Sequence, residues 1–279
     1  MPPARLARRG WTAGRDMPNP IFSADDFGLT AAVKEAVALA HVQGVLTQAS
    51  LMVGAPAAAD AVARAKALPG LNVGLHLVLV DGASVLGHTK LPHITGPDGR
   101  FGRDQAALGV KYFFSRAARQ ELRGEIRAQF EAFAATGLKL HHADAHKHMH
   151  LHPTVAQIMI ETGREFGLTR IRVPAESPSV MRRCGERPGF GDYALYAWSR
   201  VLRRQAGAMA ATQHVFGLKW SGHMTTARIR RLLENLPNGS SEIYFHPAVE
   251  RDAVLAGLMP GYEHAEELKT LLTVGAPEA

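Results

Sequence analysis

Cysteine is almost absent, and so are long apolar runs; both absences narrow what this chain does. Of 279 residues only Cys184 is a cysteine, so no intrachain disulfide forms and the composition suits a reducing cytoplasm. Cys184 stands in a polar, Arg- and Gly-rich stretch without catalytic neighbours and reads as incidental. No apolar run reaches the roughly 18 residues that a membrane-spanning helix needs. Internal repeats and low-complexity linkers are missing too. Helix-turn-helix, zinc-finger and aromatic RNA-binding signatures are lacking, so the formal charge of +7 does not point to nucleic acid. Arg5, Arg8, Arg9 and Arg15 against Asp16 contribute +3 of that charge, leaving +4 for the rest, which is unremarkable. Residues 1–18 have no apolar core and make a poor signal peptide. They read as a disordered extension, with Met17 as a candidate true start.

What is present is histidine in one place. Residues 141–152 hold six of the fourteen histidines, together with Asp144. Most of the polar members are two apart, so in an extended segment Asp144, His146, His148 and His150 would share one face. Imidazoles beside a carboxylate are the usual makings of a metal site. A second motif, Ala24-Asp25-Asp26-Phe27-Gly28, follows a short apolar entry and precedes a helical pattern, with Thr30 the better helix cap. Adjacent residues on a strand point apart, so both carboxylates reach one pocket only where the strand is ending. A third segment, residues 71–82, is a nearly continuous apolar run containing His76, as a buried parallel strand would read. Asp26, His76 and His146 together make three protein ligands with positions left open, the pattern of a catalytic metal site. His142, His148 and His150 remain alternates at this point.

Apolar entries near 19–24, 48–54, 71–80, 138–143, 169–174 and 241–246 alternate with helical patterns over 30–43, 56–68, 115–136, 153–166 and 224–236. Several helices have glycine just past their ends (Gly44, Gly70, Gly137, Gly167), where a left-handed cap is wanted. The alternation predicts an α/β fold with a parallel sheet and helices outside, and the candidate ligands fall at strand carboxyl ends. Two regions interrupt it. Residues 81–112 read as a long loop covering the site, with His88 and His93 in it. Residues 185–220 read as a helical insertion mixing Phe190, Tyr193, Trp198, Arg200 and Arg203. That mixture suits either ordinary packing on the barrel or an interfacial helix meeting lipid headgroups.

The residues 24–28, Gly74-Leu75-His76, 144–150 and Gly239–Pro247 (through Glu242-Ile243-Tyr244-Phe245-His246) resemble, in order and context, the YdjC/ChbG-like carbohydrate deacetylases. Residues 44–47, 50–60 and 74–82 are closest in wording to the hopanoid-biosynthesis-associated HpnK subgroup. The match spans roughly residues 19–255, and four separated motifs in register make it specific. Lys34 departs from the asparagine that relatives carry. The resemblance implies a distorted TIM-like (β/α) barrel over residues 19–279 and selects His146 from the cluster. It implies a metal-dependent hydrolase that removes an N-acetyl group from an N-acetylglucosamine-type sugar attached to a hopanoid lipid. One divalent ion, magnesium or zinc, would sit on Asp26, His76 and His146, lowering the pKa of a bound water and polarising the acetyl carbonyl. Asp25 would be the general base. His246 would protonate the leaving amine or hold the sugar. Asp144 would orient a ligand histidine. Arg172 would meet substrate hydroxyls or a phosphate, or else form a surface ion pair. The expected partners are an acetylated amino sugar, a peripheral membrane contact and a second copy in a homodimer, with no nucleic acid. A two-metal phosphoesterase and a non-catalytic saccharide- or lipid-binding module are the alternatives.

Overall fold

Among the described residues, six short parallel strands form the sheet, and their register explains where the polar residues go. The computed structural model describes residues 20–275, so the extension expected over residues 1–18 lies outside them. The strands are β1 (Ile21–Phe27), β2 (Gln48–Leu51), β3 (Asn72–Leu77), β4 (Ala143–Ala145), β5 (His214–Phe216) and β6 (Ser241–Phe245). Their order across the sheet is β4-β3-β2-β1-β6-β5. The 169–174 stretch, predicted as a full strand, is reduced to a single bridging residue. Ile171 pairs with Ala143 on one side and Ala210 on the other. The Val215 amide then reaches the Ala175 carbonyl at 3.4 Å, which carries the curl round to β5. The result is the parallel α/β arrangement that the alternation predicts, curled into the distorted TIM-like barrel that the family resemblance implies.

Helices pack outside: α1 (Ala31–Gln43), α2 (Ala58–Lys66), α3 (Gln105–Phe114), α4 (Arg116–Ala135) and α5 (Pro153–Glu165). The second half adds α6 (Pro178–Arg183), α7 (Phe190–Ala206), α8 (Thr226–Glu234), α9 (Ala253–Leu258) and α10 (His264–Thr273). Local chemistry sets their limits. Thr30 accepts the Val33 amide as the α1 cap, and Pro153 opens α5 in its first turn, where no amide is needed. Gly137 and Gly167 take the left-handed conformation past α4 and α5. Gly44 does not: its φ is −118°, and glycine is required there because a Cβ would collide with the Leu271 carbonyl. Among the described residues no helix is long and apolar enough to cross a membrane.

Three expectations are corrected by the packing. The 81–112 loop ends early, because α3 begins at Gln105, capped by Asp104. Its first part is not loose either: buried Glu125 of α4 accepts the Val85 and Leu86 amides at 2.8 and 3.0 Å. Residues 185–220 are not one helical insertion, since β5 lies within them and joins the sheet. On α7, Trp198 donates its indole N–H to the Leu151 carbonyl, and Arg203 is engaged by the Thr212 and Gln213 carbonyls. Of its other aromatics, Tyr196 packs against the core, whereas Phe190 and Tyr193 are exposed, Tyr193 accepting a hydrogen bond from Arg182. Cys184 is not in an open polar loop; it caps α6 and is buried in the core.

Gly74 in β3 tests this packing, because a Cβ there would lie 2.4 Å from the buried His142 ring. Overpacking of this kind costs roughly 1–3 kcal/mol. Gly74→Ala is therefore expected to lower the urea unfolding midpoint, and an unchanged midpoint would contradict the packing described.

Candidate metal centre

The Asp-Asp pair reaches one pocket at the carboxyl end of β1, which stops one residue later, and a local break in the strand pairing helps it do so. β1 pairs with β2 at Ser23–Gln48, Ala24–Ala49 and Phe27–Leu51, so three steps on β1 match two on β2. This is a β-bulge, and Asp26 within it has a left-handed backbone, φ 59°. The extra residue turns Asp26 onto the same side as Asp25. Both carboxylates are buried, at 2% and 1% exposure.

Asp26 Oδ1 lies 3.3 Å from His76 Nε2 and 3.0 Å from His146 Nδ1. His76 comes from β3, and its other ring nitrogen, Nδ1, faces Asp144 Oδ1 of β4 at 2.7 Å. Because Leu75, His76 and Leu77 pair directly with Ala143, Asp144 and Ala145, this contact follows from strand register. One ring is thereby gripped between two carboxylates, one from β1 and one from β4.

Arg172 is neither a substrate-facing residue nor a surface ion pair. It is 1% exposed, and it is the hub of the site. Its Nη1 meets Asp25 Oδ1 at 2.7 Å and Oδ2 at 2.8 Å, and Asp144 Oδ2 at 2.6 Å. Its Nε donates to Glu242 Oε1 at 2.8 Å and its Nη2 to Ser23 Oγ at 3.1 Å. The Tyr244 ring stacks 5.1 Å from the guanidinium carbon. Three carboxylates from β1, β4 and β6 thus converge on one cation.

The histidines after β4 do not share an extended face, because β4 stops at Ala145 and a tight turn spans His146–Leu151. Lys147 and His148 are left-handed within it, which rotates successive side chains apart. His148 Nε2 bonds the Tyr244 hydroxyl at 2.9 Å, and His150 Nε2 the Arg172 carbonyl at 3.0 Å. His142 Nε2 meets Ser50 Oγ at 3.0 Å, and that hydroxyl donates to Asp144 Oδ2 at 2.8 Å. His246, past β6, is half-buried with its Nδ1 unpartnered; its ring lies against Tyr244 and Tyr262. His88 bonds Thr95 and exposed His93 pairs with Glu121, so neither joins the cluster. Lys34 lies beside Glu35 and Asp60 on the outer helices. Sequence reading passed over Ser23, Ser50, Glu242 and Tyr244. Glu242 carried a usable signal: a carboxylate inside the short buried run of β6 needs a cationic partner.

Ionisation follows from this geometry. Burial opposes charge on Asp26, but His146 and His76 outweigh it and hold its carboxyl well below the usual range. Asp144 is held low in the same way, burial being overcome chiefly by Arg172 and His76. Burial alone would lower the His76 pKa, yet Asp144 reverses this and raises it to about 10. His142 falls to about 3 and His150 to about 4, in both cases mainly by burial. His148 and His246 are also lowered by burial. These four rings are neutral at pH 7 and can accept or relay hydrogen bonds without adding charge beside Arg172.

The residues fit a divalent cation. Asp26, His76 and His146 each offer one ligand atom, all within 4.8 Å of one another and all buried. Asp26 Oδ2 is buried with no hydrogen-bond partner, a costly state that a bound ion would remove. The donor set, one carboxylate and two imidazoles, is the kind that catalytic zinc uses. The other group that could hold an ion among the described residues, Asp25, His76 and Asp144, already has both carboxylates on Arg172.

A set of this kind at the carboxyl ends of parallel barrel strands lies where barrel enzymes assemble their active sites. Residues 20–278 match the YdjC-like protein family, and the chain belongs to it. A carbohydrate deacetylase from Brevibacillus brevis is 33% identical over 252 residues, 90% of each chain. One from Vibrio vulnificus is 38% identical over 201 residues, covering 71% of this chain and 72% of its own. The crystal structure of a candidate cellobiose-phosphate cleavage protein from Enterococcus faecalis superposes with a TM-score of 0.72. It covers 92% of each chain at 22% identity, a likeness of fold.

Removing the hub should be severe. Arg172→Met leaves three buried carboxyl groups facing one another, and breaking a buried ion pair from one side costs about 3–5 kcal/mol. A chemical-unfolding curve within 1 kcal/mol of wild type would show that the guanidinium does not hold these strands as described.

Proposed function

We propose that this chain is a metal-dependent carbohydrate deacetylase. It hydrolyses the acetamide of an N-acetylglucosamine-type sugar to acetate and a free amine. The observation that carries the reading is the Asp26 carboxylate between His76 and His146, with one buried oxygen unpartnered beside a second aspartate. The relatives named carbohydrate deacetylases support the substrate class. Magnesium or zinc on Asp26, His76 and His146 would supply a water of lowered pKa and polarise the acetyl carbonyl.

Asp25 takes a proton from the attacking water, and the oxygen adds to the acetyl carbonyl carbon. The C–N bond then breaks as the amine nitrogen gains a proton, without which it leaves poorly. Arg172 holds both Asp25 oxygens, so the carboxylate cannot swing towards Asp26 and join the ligand set. Asp144 orients His76 through Nδ1, leaving Nε2 for the ion. His246 is the acid or the sugar contact. Because burial lowers its pKa, it starts neutral at pH 7 and must receive the proton it passes on. His142, His148 and His150 support the site through Ser50, Tyr244 and the Arg172 backbone. A two-metal phosphoesterase would need a further cation beside Asp25 and Asp144, where Arg172 already stands.

The finer reading is a sugar attached to a hopanoid lipid. A cavity of about 220 Å³ beginning two residues past Arg172 has an apolar side, Pro174, Pro178, Met181, Leu195 and Leu218, with room for part of an apolar aglycone, and Glu176, Asp192 and Lys219 line it as well. Phe190 and Tyr193 on the adjoining α7 would meet a membrane surface peripherally. A cytoplasmic homodimer is the assembly proposed, on the lone cysteine and on base rates for symmetric oligomers.

Acetate release tests both levels, with metal-stripped and metal-restored enzyme on an N-acetylglucosaminyl lipid and on free chitobiose. Metal-dependent release from the lipid alone is expected. Release from chitobiose moves the substrate to soluble saccharides, and release from neither overturns the deacetylase. Asp25→Asn should lose turnover by at least ~100-fold, the scale of a positioned acid–base group, while binding metal normally. His146→Ala should lose both, and normal turnover in Asp25→Asn would remove it as the base.

A further inference from the structure

The two strands that deliver His76 and His146 are tied together a second time, just beyond the site. In β3 and β4, Leu77 lies opposite Ala145, one residue after His76 and one before His146. From there the chains diverge. The β3 chain continues through buried residues 78–80 to Asp81, while the β4 chain turns at once into Lys147 and His148. Asp81, Lys147 and His148 have φ of 49°, 50° and 53°. Non-glycine residues enter this region rarely, and two in succession persist only when their surroundings hold them.

The holding groups are specific. Lys147 Nζ donates to Asp81 Oδ2, and Gln105 Nε2 donates to the Lys147 carbonyl at 2.8 Å. Asp81 is itself fixed, its amide on the Gly102 carbonyl at 3.0 Å and its Oδ1 beside Arg103 Nε at 3.1 Å. The Asp81 side chain is 6% exposed against 71% for Arg103, so the tie to Lys147 is the better shielded of its two ion pairs. The turn it grips has the candidate ligand His146 at its start and His148, on the Tyr244 hydroxyl, within it.

We infer that Asp81 is a positioning residue. By gripping Lys147 it holds the left-handed turn that aims His146 at Asp26 and His148 at Tyr244. It thereby fixes the separation of His76, on β3, from His146, just past β4. The consequence for metal rests on the site reading above; the grip itself is a property of the metal-free chain.

The full chain is compared with Asp81→Ala, Asp81→Asn and Lys147→Met. In metal-free protein, amide exchange of the His146–Leu151 segment should accelerate about tenfold in each variant as local opening becomes easier, while β1 and β6 stay unchanged. Cobalt affinity, read from its visible spectrum, should fall about 10- to 100-fold, as for other groups that orient ligands. Asp81→Ala with Lys147→Met should be no worse than Asp81→Ala alone, because the lysine change then removes nothing that remains, although Asp81→Ala also gives up the Arg103 pair. Lys147→Asn should lose less than Lys147→Met, because asparagine tolerates the left-handed region. Wild-type exchange and affinity in Asp81→Ala, or additive losses in the double variant, would overturn the assignment. If the wild type binds no cobalt, the metal site fails and the exchange result alone decides the grip. If Asp81→Ala does not fold, exposed Lys147 gives the same test from the other side.

Discussion

One guanidinium, shut away from water, organises the centre of this barrel. Arg172 contacts Asp25 on β1, Asp144 on β4 and Glu242 on β6. Taking charged groups out of water is expensive, and buried ion pairs add little net stability over well-packed apolar groups. Stability alone is therefore a poor account of why so many charges sit here. Position is a better one. With Asp144 held by Arg172, its other oxygen is fixed on His76, and with Asp25 held, only Asp26 of the pair is free to join the histidines. The cation does structurally what a second metal ion would do in a dinuclear site, and it does so permanently.

The same economy governs the backbone. A bulge of one residue in β1 brings two successive carboxylates to one side, and a left-handed pair after β4 separates three histidines that a regular strand would have aligned. Both irregularities sit next to candidate ligands. Neither could survive in an isolated peptide. Each is held by neighbours: the bulge by β2 and the histidine rings, the turn by side chains arriving from the β3 loop.

Much of this was legible in the sequence, and for physical reasons. The strands around Asp25 and His76 are buried on both sides, so they read as apolar runs in which a charged residue stands out. Helix ends were marked by Thr30, Pro153, Gly137 and Gly167, which act locally. What escaped was non-local or too short. β5 has three residues, too few for a period, and it lies in an aromatic-rich stretch that resembles helix. The 81–104 segment looked like an open loop because its anchor, Glu125, comes from a helix some forty residues on. Arg172 gave no hint that its partners lay about 147, 28 and 70 positions away. The even spacing of the histidines misled for a related reason: a pattern that fits a strand says nothing about where the strand stops.

We expect a single-ion centre, with Arg172 in the place of a second cation. It is tested most directly by metal content per chain after stripping and reconstitution with excess zinc, magnesium or manganese. One tightly held divalent ion per chain, abolished in His146→Ala, is the result the account predicts. Two ions per chain would contradict it, because Asp25 and Asp144 would then be ligands and Arg172 could not occupy the position described.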